Sequence, residues 1–198
     1  MITIYLLRHG ETPFNADGNK YCGRTDIGLT ENGIAQAKLM HERLKEYTFD
    51  AVYSSPLQRA RKTAEIVSGI ADDVRIDERL IEVDFGEWEG FRPEEFQKRD
   101  PQSWENWLAA PESFAAGRTG ETAMQVVSRL RSFYDELAQK YEGKSVLIVA
   151  HNGVNRLFLA SQLGMPLNNY RRLVQENSAL TMLTLTRHQG CNLLKLNA

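Results

Sequence analysis

Apolar and polar positions alternate between two periods along this chain. The opening run Ile2-Thr3-Ile4-Tyr5-Leu6-Leu7 is short, apolar and ended by Arg8, which predicts a first β-strand. Residues 9 to 29 hold Gly10, Pro13, Asn15, Gly18, Gly23 and Gly28 and are expected to form a loop. Thr30 is placed to cap a helix running to about Tyr47, with Ile34, Ala37, Leu39, Met40 and Leu44 near helical spacing. A second short strand is expected over 50–54. Ser55-Pro56 then reads as an N-cap followed by proline at the first helical position, opening a helix to about Ile70.

Residues 72–120 are less regular. Val74 to Ile76 suits a strand, and Pro93 to Arg99 and Ser103 to Ala109 suit short helices. From Glu121 to Tyr141, Val126, Val127, Leu130, Phe133, Tyr134, Leu137 and Tyr141 share one helical face. Ser145-Val146-Leu147-Ile148-Val149-Ala150 has the unbroken apolar character of a central strand covered on both faces. A helix over Gly153 to Leu163 follows, then two strands between Ser178 and Leu196 around a turn at Gln189-Gly190. This alternation predicts one α/β domain over 1–198 with a mostly parallel sheet. Residues 85–120, rich in Trp, Phe, Pro and Gly, read as an irregular helical insertion over one edge, either a cover for a pocket or ordinary surface structure.

Composition narrows the class of protein. The chain has 198 residues, 42% hydrophobic and 25% charged, as in an ordinary globular domain. With 24 basic and 26 acidic side chains its formal net charge is -2. Such a balance offers no general attraction for nucleic acid or an anionic membrane, so an anion site must be built locally. No stretch is long and apolar enough to span a bilayer, and the first strand lacks a basic leader, which argues against a signal peptide. Cys22 and Cys191 form no CxxC pair. A reduced, cytoplasmic protein is the simplest reading, although two cysteines suffice for one disulfide.

Candidate chemistry follows from where the strands end. Ligands of open α/β sheets bind beyond the carboxyl ends of the strands. There the first strand delivers Arg8-His9-Gly10-Glu11-Thr12, the second Ser54-Ser55 with Arg59 one turn on, and the central one His151-Asn152-Gly153. Parallel strands would gather two histidines and two arginines at one rim. Guanidinium groups bind phosphate by paired, charge-assisted hydrogen bonds, and a neutral imidazole is a competent nucleophile. Phosphoryl transfer depends mainly on positioning and on stabilising charge over three equatorial oxygens. Arg8 and Arg59 could do this without a metal, one histidine attacking phosphorus and the other donating to an oxygen. A leaving alkoxide needs a proton. Glu82 is the candidate, with apolar neighbours, but Asp84, Glu87 and Glu11 compete on spacing alone.

At these residues the sequence resembles the histidine phosphatase superfamily, in its phosphoglycerate-mutase-like branch. The blocks are Arg8-His9-Gly10-Glu11-Thr12-Pro13-Phe14-Asn15, residues 21–30 (Tyr-Cys-Gly-Arg-Thr-Asp-Ile-Gly-Leu-Thr), residues 53–64, Leu80 through Gly90, and Val149 through Val154. They occur in the family's order and span most of the chain. The resemblance implies a three-layer α/β sandwich whose mostly parallel sheet has one antiparallel strand. It implies His9 as the phosphorylated nucleophile, with Arg8, Arg59 and His151 around the phosphate and Asn15 beside it. Glu82 would be the proton donor and later the base that activates water. Arg24, the Gly23 backbone and Asn152 would lie near the rest of the substrate. No cofactor and no metal are implied. The expected partner is a small phosphorylated metabolite, with no nucleic acid, no membrane and at most a second copy of the chain in a homodimer. Two blocks depart from the usual pattern: His151-Asn152-Gly153 in place of His-Gly-Gly or His-Gly-Asn, and Thr119-Gly120-Glu121 in place of Gly-Gly-Glu. Both touch substrate choice more than chemistry.

Blander roles suit the other candidates. His41 and His188 read as ordinary polar residues, Asp26 as a turn former, and Trp88, Trp104 and Trp107 as packing. The leading expectation is a phosphomonoester hydrolase, with α-ribazole 5′-phosphate as one candidate substrate. The alternative is a cofactor-dependent phosphoglycerate mutase. Mutases of this family carry extra basic residues after the acid, whereas residues 91–120 contain only Arg92, Lys98, Arg99 and Arg118.

Overall fold

The computed structural model describes residues 1–186 and 190–198. Its six-stranded sheet has the order β3-β2-β4-β1-β5-β6. The strands are β1 (Ile2–Arg8), β2 (Ala51–Ser54), β3 (Val74–Ile76), β4 (Ser145–Ala150), β5 (Leu180–Thr186) and β6 (Gly190–Lys195). β1, β2, β3 and β4 run parallel to one another, and β5 alone is antiparallel to both of its neighbours, β1 and β6. The sheet is therefore mostly parallel with one reversed strand, as expected.

Strand side chains alternate between two faces, and both faces are covered. Ile2, Ile4, Leu6, Val146 and Ile148 pack in one core with α6 (Ala123–Lys140) and α7 (Asn152–Gln162). Tyr5, Leu7, Val52, Leu147 and Val149 pack in the other with α2 (Glu31–Leu44) and α3 (Gln58–Ser68). These are the three layers. Helix α6 buries the face that its apolar spacing marks out, from Val126 to Leu137.

Three local expectations are corrected. The loop after β1 contains a one-turn helix, α1 (Pro13–Ala16), started by proline and by a reciprocal cap between Thr12 and Asn15. Helix α3 begins at Gln58, not at the Ser55-Pro56 signal. Its first turn is capped from afar: Asp26 Oδ1 accepts the Gln58 N–H at 2.8 Å, while Ser55 Oγ bonds His151 and reaches only the Leu57 N–H ahead of the helix. A 3-10 helix over Leu167–Arg172 was not expected at all. His188 and Gln189 of the anticipated terminal turn lie outside the described residues.

Residues 85–120 form a 3-10 turn (Gly86–Trp88), α4 (Pro93–Arg99) and α5 (Pro101–Ala109). Trp88, Phe96 and Trp107 are buried, with Trp88 stacked on Phe96 at 4.9 Å. The tryptophans thus pack, as anticipated. His41 is also structural, its Nδ1 lying 3.0 Å from the Val67 carbonyl that joins α2 to α3. Cys22 and Cys191 are free thiols. Among the described residues no helix is long and apolar enough to cross a membrane.

Candidate active site

The order β2-β4-β1 puts three parallel strand ends side by side. The His9 N–H donates to Ala150 O at 3.0 Å and the Ser55 N–H to Val149 O at 3.1 Å, which ties the three loops together. The imidazoles of His9 and His151 consequently meet, with ring centroids 5.1 Å apart.

His9 is held from both sides. Gly10 N donates to Thr63 Oγ1 at 3.0 Å, and the His9 carbonyl accepts from Asn177 Nδ2 at 3.1 Å. A Cβ on Gly10 would sit 2.5 Å from the Gly33 carbonyl, so glycine is needed where this loop crosses the start of α2. His9 Nδ1 lies 2.7 Å from Gly10 O. A carbonyl can only accept, so Nδ1 carries the proton and Nε2 keeps its lone pair. Burial, and then the charges of Arg59 and Arg8, hold the His9 pKa well below the ordinary histidine value. The ring is neutral at pH 7, with a free nitrogen.

His151 is fully buried, and its Nε2 shares a 2.7 Å hydrogen bond with Ser55 Oγ. Its Nδ1 has no protein partner. Burial, then Arg59 and His9, depress its pKa as well.

The two arginines are fixed by carbonyls. Arg8 Nη1 donates to Gln175 O at 2.8 Å, and burial lowers its pKa to about 10, which leaves it cationic at neutral pH. Arg59 is completely buried and donates through Nη1 to Thr25 O (2.8 Å) and through Nη2 to Gly23 O (2.7 Å). The Nε of each arginine is buried without an acceptor. Neither forms an ion pair with a carboxylate among the described residues, so their charge is available to a bound anion.

The structure places the competing carboxylates differently, Glu82 apart from the others. Glu82 lines the cavity, and neither Asp84, Glu87 nor Glu11 does. Its Oε1 accepts from Val83 N (2.9 Å) and Val154 N (3.0 Å), and its Oε2 from Gly153 N (3.1 Å). The first turn of α7, just after His151, thus orients the acid. A second brace comes from Arg129, which donates to the carbonyls of Arg79, Ile81 and Glu82 and pairs with Glu121 at 3.0 Å. Asp84 and Glu121 instead engage Arg24, at 3.7 and 3.3 Å.

A cavity of about 620 Å³ is lined by Arg8, His9, Asn15, Glu82 and Asn152. Asn15 Oδ1 is bound by Asn177 Nδ2 at 3.2 Å, and Asn152 Oδ1 is buried and unpaired. Arg59 and His151 do not line it. Gly23 and Arg24 do not reach it. Gly23 faces Glu89, whose carboxylate accepts from Arg24 N and Thr25 N and leaves no room for a Cβ at residue 23. Several wall residues were not anticipated: Tyr21, Arg156, Tyr170, Arg171, Gln175 and Asn177. Five of these six come from α7 or from the irregular segment after it, which shows no period to read.

The site brings together two guanidiniums without carboxylate partners among the described residues, an uncharged imidazole and a carboxyl group, and the comparisons point the same way. The model of the histidine phosphatase superfamily (branch 1) matches residues 4–198. This chain belongs to that superfamily. Phosphoserine phosphatase 1 of Hydrogenobacter thermophilus is 30% identical over 198 residues, covering 100% of this chain and 92% of the relative. The adenosylcobalamin/alpha-ribazole phosphatase of Salmonella typhimurium is 36% identical over 82% of this chain and 80% of its own. In fold, the chain matches a crystallised phosphoserine phosphatase mutant of Entamoeba histolytica in complex with phosphoserine. The TM-score is 0.90 at 30% identity, covering 100% of this chain and 98% of that one. The relatives thus bear phosphatase names, and the expected fold and family both hold.

Proposed function

We propose that this chain is one phosphatase domain over residues 1–198 that hydrolyses a small phosphomonoester through a phosphohistidine at His9. The observation that carries this reading is the His9 Nδ1 bond to Gly10 O, which leaves Nε2 unprotonated on the cavity wall beside Arg8 and Glu82. Nε2 attacks phosphorus, and Arg8 and Arg59 stabilise the equatorial oxygens. Ser55 donates to His151 Nε2, so that His151 Nδ1–H is free for a phosphoryl oxygen. Glu82 protonates the leaving alkoxide, and the P–O bond breaks as the P–N bond forms. Glu82 then takes a proton from water, which attacks the phosphohistidine and releases inorganic phosphate and free His9.

Transfer to water is favoured over transfer to a sugar acid. Arg92 is paired with Asp17, Arg118 lies 3.8 Å from Asp100, and Arg99 sits over the Phe91 ring. From residues 85–120 only Phe85 and Pro93 reach the cavity wall, so this segment offers no cationic grip for a mutase. The names of the relatives support α-ribazole 5′-phosphate and phosphoserine as candidate substrates. A cytoplasmic location and at most a homodimer go with this reading, and light scattering measures the latter.

The test is ³²P trapping on His9 from a labelled ester, with no label in His9→Ala. Full turnover by His9→Ala would remove the reading. Formation of 2-phosphoglycerate from 3-phosphoglycerate plus bisphosphoglycerate, faster than phosphate release, would restore the mutase.

A further inference from the structure

Two guanidiniums on the cavity wall are left unused by the phosphate chemistry. Arg156 lies on α7, five residues past His151, and Arg171 lies in the 3-10 helix that follows. Both line the cavity with Arg8 and His9. Neither forms an ion pair among the described residues. Arg156 spends only Nε, on the Tyr170 carbonyl at 3.2 Å, so both of its terminal nitrogens lack a protein acceptor. Arg171 is aimed by two tyrosine hydroxyls, Tyr170 at 3.1 Å from Nε and Tyr21 at 2.8 Å from Nη2, and it stacks over Trp104 at 4.2 Å.

Two half-buried guanidiniums near each other repel, and partial burial weakens their hydration. The Arg156 pKa is lowered, chiefly by burial and also by Arg171. The wall offsets this at Arg171, whose pKa is, against burial, raised by Tyr170 and Tyr21, but not fully at Arg156. The wall's carboxylates are Glu82, already bound by three backbone N–H groups, and the exposed Glu176. Such a pair is stabilised when an anion arrives, and the planar fork of a guanidinium suits a carboxylate. A cavity of about 620 Å³ fits a small molecule carrying two anionic ends.

We propose that Arg156 and Arg171 bind a carboxylate at the end of the substrate remote from the scissile phosphate, so that the substrate class is a phosphorylated hydroxy or amino acid. The inference rests on the phosphatase reading for the first anion. It ranks phosphoserine-like esters above α-ribazole 5′-phosphate, which has no carboxylate to offer.

Matched esters test it. Phosphoserine differs from phosphoethanolamine, and 3-phosphoglycerate from glycerol 3-phosphate, in the carboxylate. The expected ratio of kcat/KM within each pair is about tenfold or more in favour of the acid. In Arg156→Gln and Arg171→Gln that ratio collapses toward one, mainly through KM, and Arg156→Lys keeps part of it. The ratio is read at whatever absolute rate each variant retains. Should Arg156→Gln fail to fold, Arg171→Gln and the wild-type ratios still decide. Calorimetric Kd values for 3-phosphoglycerate and glycerol 3-phosphate, measured in His9→Ala, give the same ratio without turnover. Equal affinity within each pair overturns the carboxylate site, as does a preference for fructose 1,6-bisphosphate over 3-phosphoglycerate. Hydrolysis of p-nitrophenyl phosphate separately reports the phosphatase reading, so the two failures are distinct.

Discussion

Gly153 and Glu82 are in backbone-to-carboxylate contact: the Gly153 N–H donates to Oε2 at 3.1 Å, and a Cβ at residue 153 would lie 2.6 Å from Oε1. The glycine that ends the His151-Asn152-Gly153 block is therefore the one that lets the acid reach the start of α7. Gly153→Ala must push the carboxyl aside while keeping its chemistry. A displacement on the order of 1 Å costs about 100-fold in turnover. We expect kcat to fall by that order with a nearly unchanged melting temperature. Steady-state kinetics on p-nitrophenyl phosphate, whose leaving group needs little protonation, should show a smaller loss than an alkyl phosphate does.

The two buried histidines predict the response to acid. Their folded-state pKa values lie below the ordinary value of 6.5, while unfolding restores that value. Below about pH 6.5 the unfolded chain therefore binds more protons than the folded one, and stability falls as pH falls until the folded values are reached. The limiting slope is about 1.4 kcal/mol per pH unit for each histidine. Denaturant titrations at pH 7.5, 6 and 5 should show a shallower acid loss in His151→Gln than in the wild type. Equal slopes would mean that His151 is charged in the folded protein.

Among the described residues Arg129 hydrogen-bonds to one cavity-lining residue, at the Glu82 carbonyl, and it braces the backbone that carries this carboxyl group. Replacing it by Gln removes donors from three carbonyls and leaves Glu121 with Arg24 and the Asp84 N–H as partners. We expect a loss of about 2–4 kcal/mol in stability, read from chemical denaturation, because partly buried carbonyl acceptors lose their donor and Glu121 loses one of its two cations. The fall in kcat should exceed that in 1/KM, since the proposed phosphate ligands Arg8 and Arg59 keep their own hydrogen bonds. A pure KM effect would contradict this positioning role.

These contacts show which parts of the molecule the sequence could disclose. The strands β1 and β4 and the helix α6 were legible because burial on one or two faces writes a period into consecutive residues. The strand ends were legible too, since parallel neighbours must share a rim, and that placed His9, His151 and Arg59 together. Glu82 could be nominated but not separated from Asp84 or Glu11, because its deciding partners, Gly153 and Val154, stand 71 and 72 positions away. The start of α3 was misread for a similar reason. Ser55-Pro56 is a good local cap signal, but Ser55 Oγ is shared between His151 and the Leu57 N–H, and the first-turn N–H of Gln58 goes to Asp26. Tyr170 and Arg171 sit in a short 3-10 turn whose sequence has neither period nor motif.

Arg59 offers the sharpest separation of charge from shape. It is the largest electrostatic influence, after burial, on both His9 and His151, and it also holds the Gly23 and Thr25 carbonyls. Arg59→Met removes the charge and both hydrogen bonds. Without the nearby cation the His9 pKa rises, so the acid limb of kcat/KM against pH should move to higher pH. The plateau should fall by about 100- to 1000-fold, the cost of losing a donor aimed at developing charge. Arg59→Lys keeps a cation but not the two-pronged geometry. Its acid limb should therefore stay near the wild-type position while its plateau still falls. If both variants shift the limb equally, the loop over residues 22–26 has moved, and the electrostatic account of His9 is wrong.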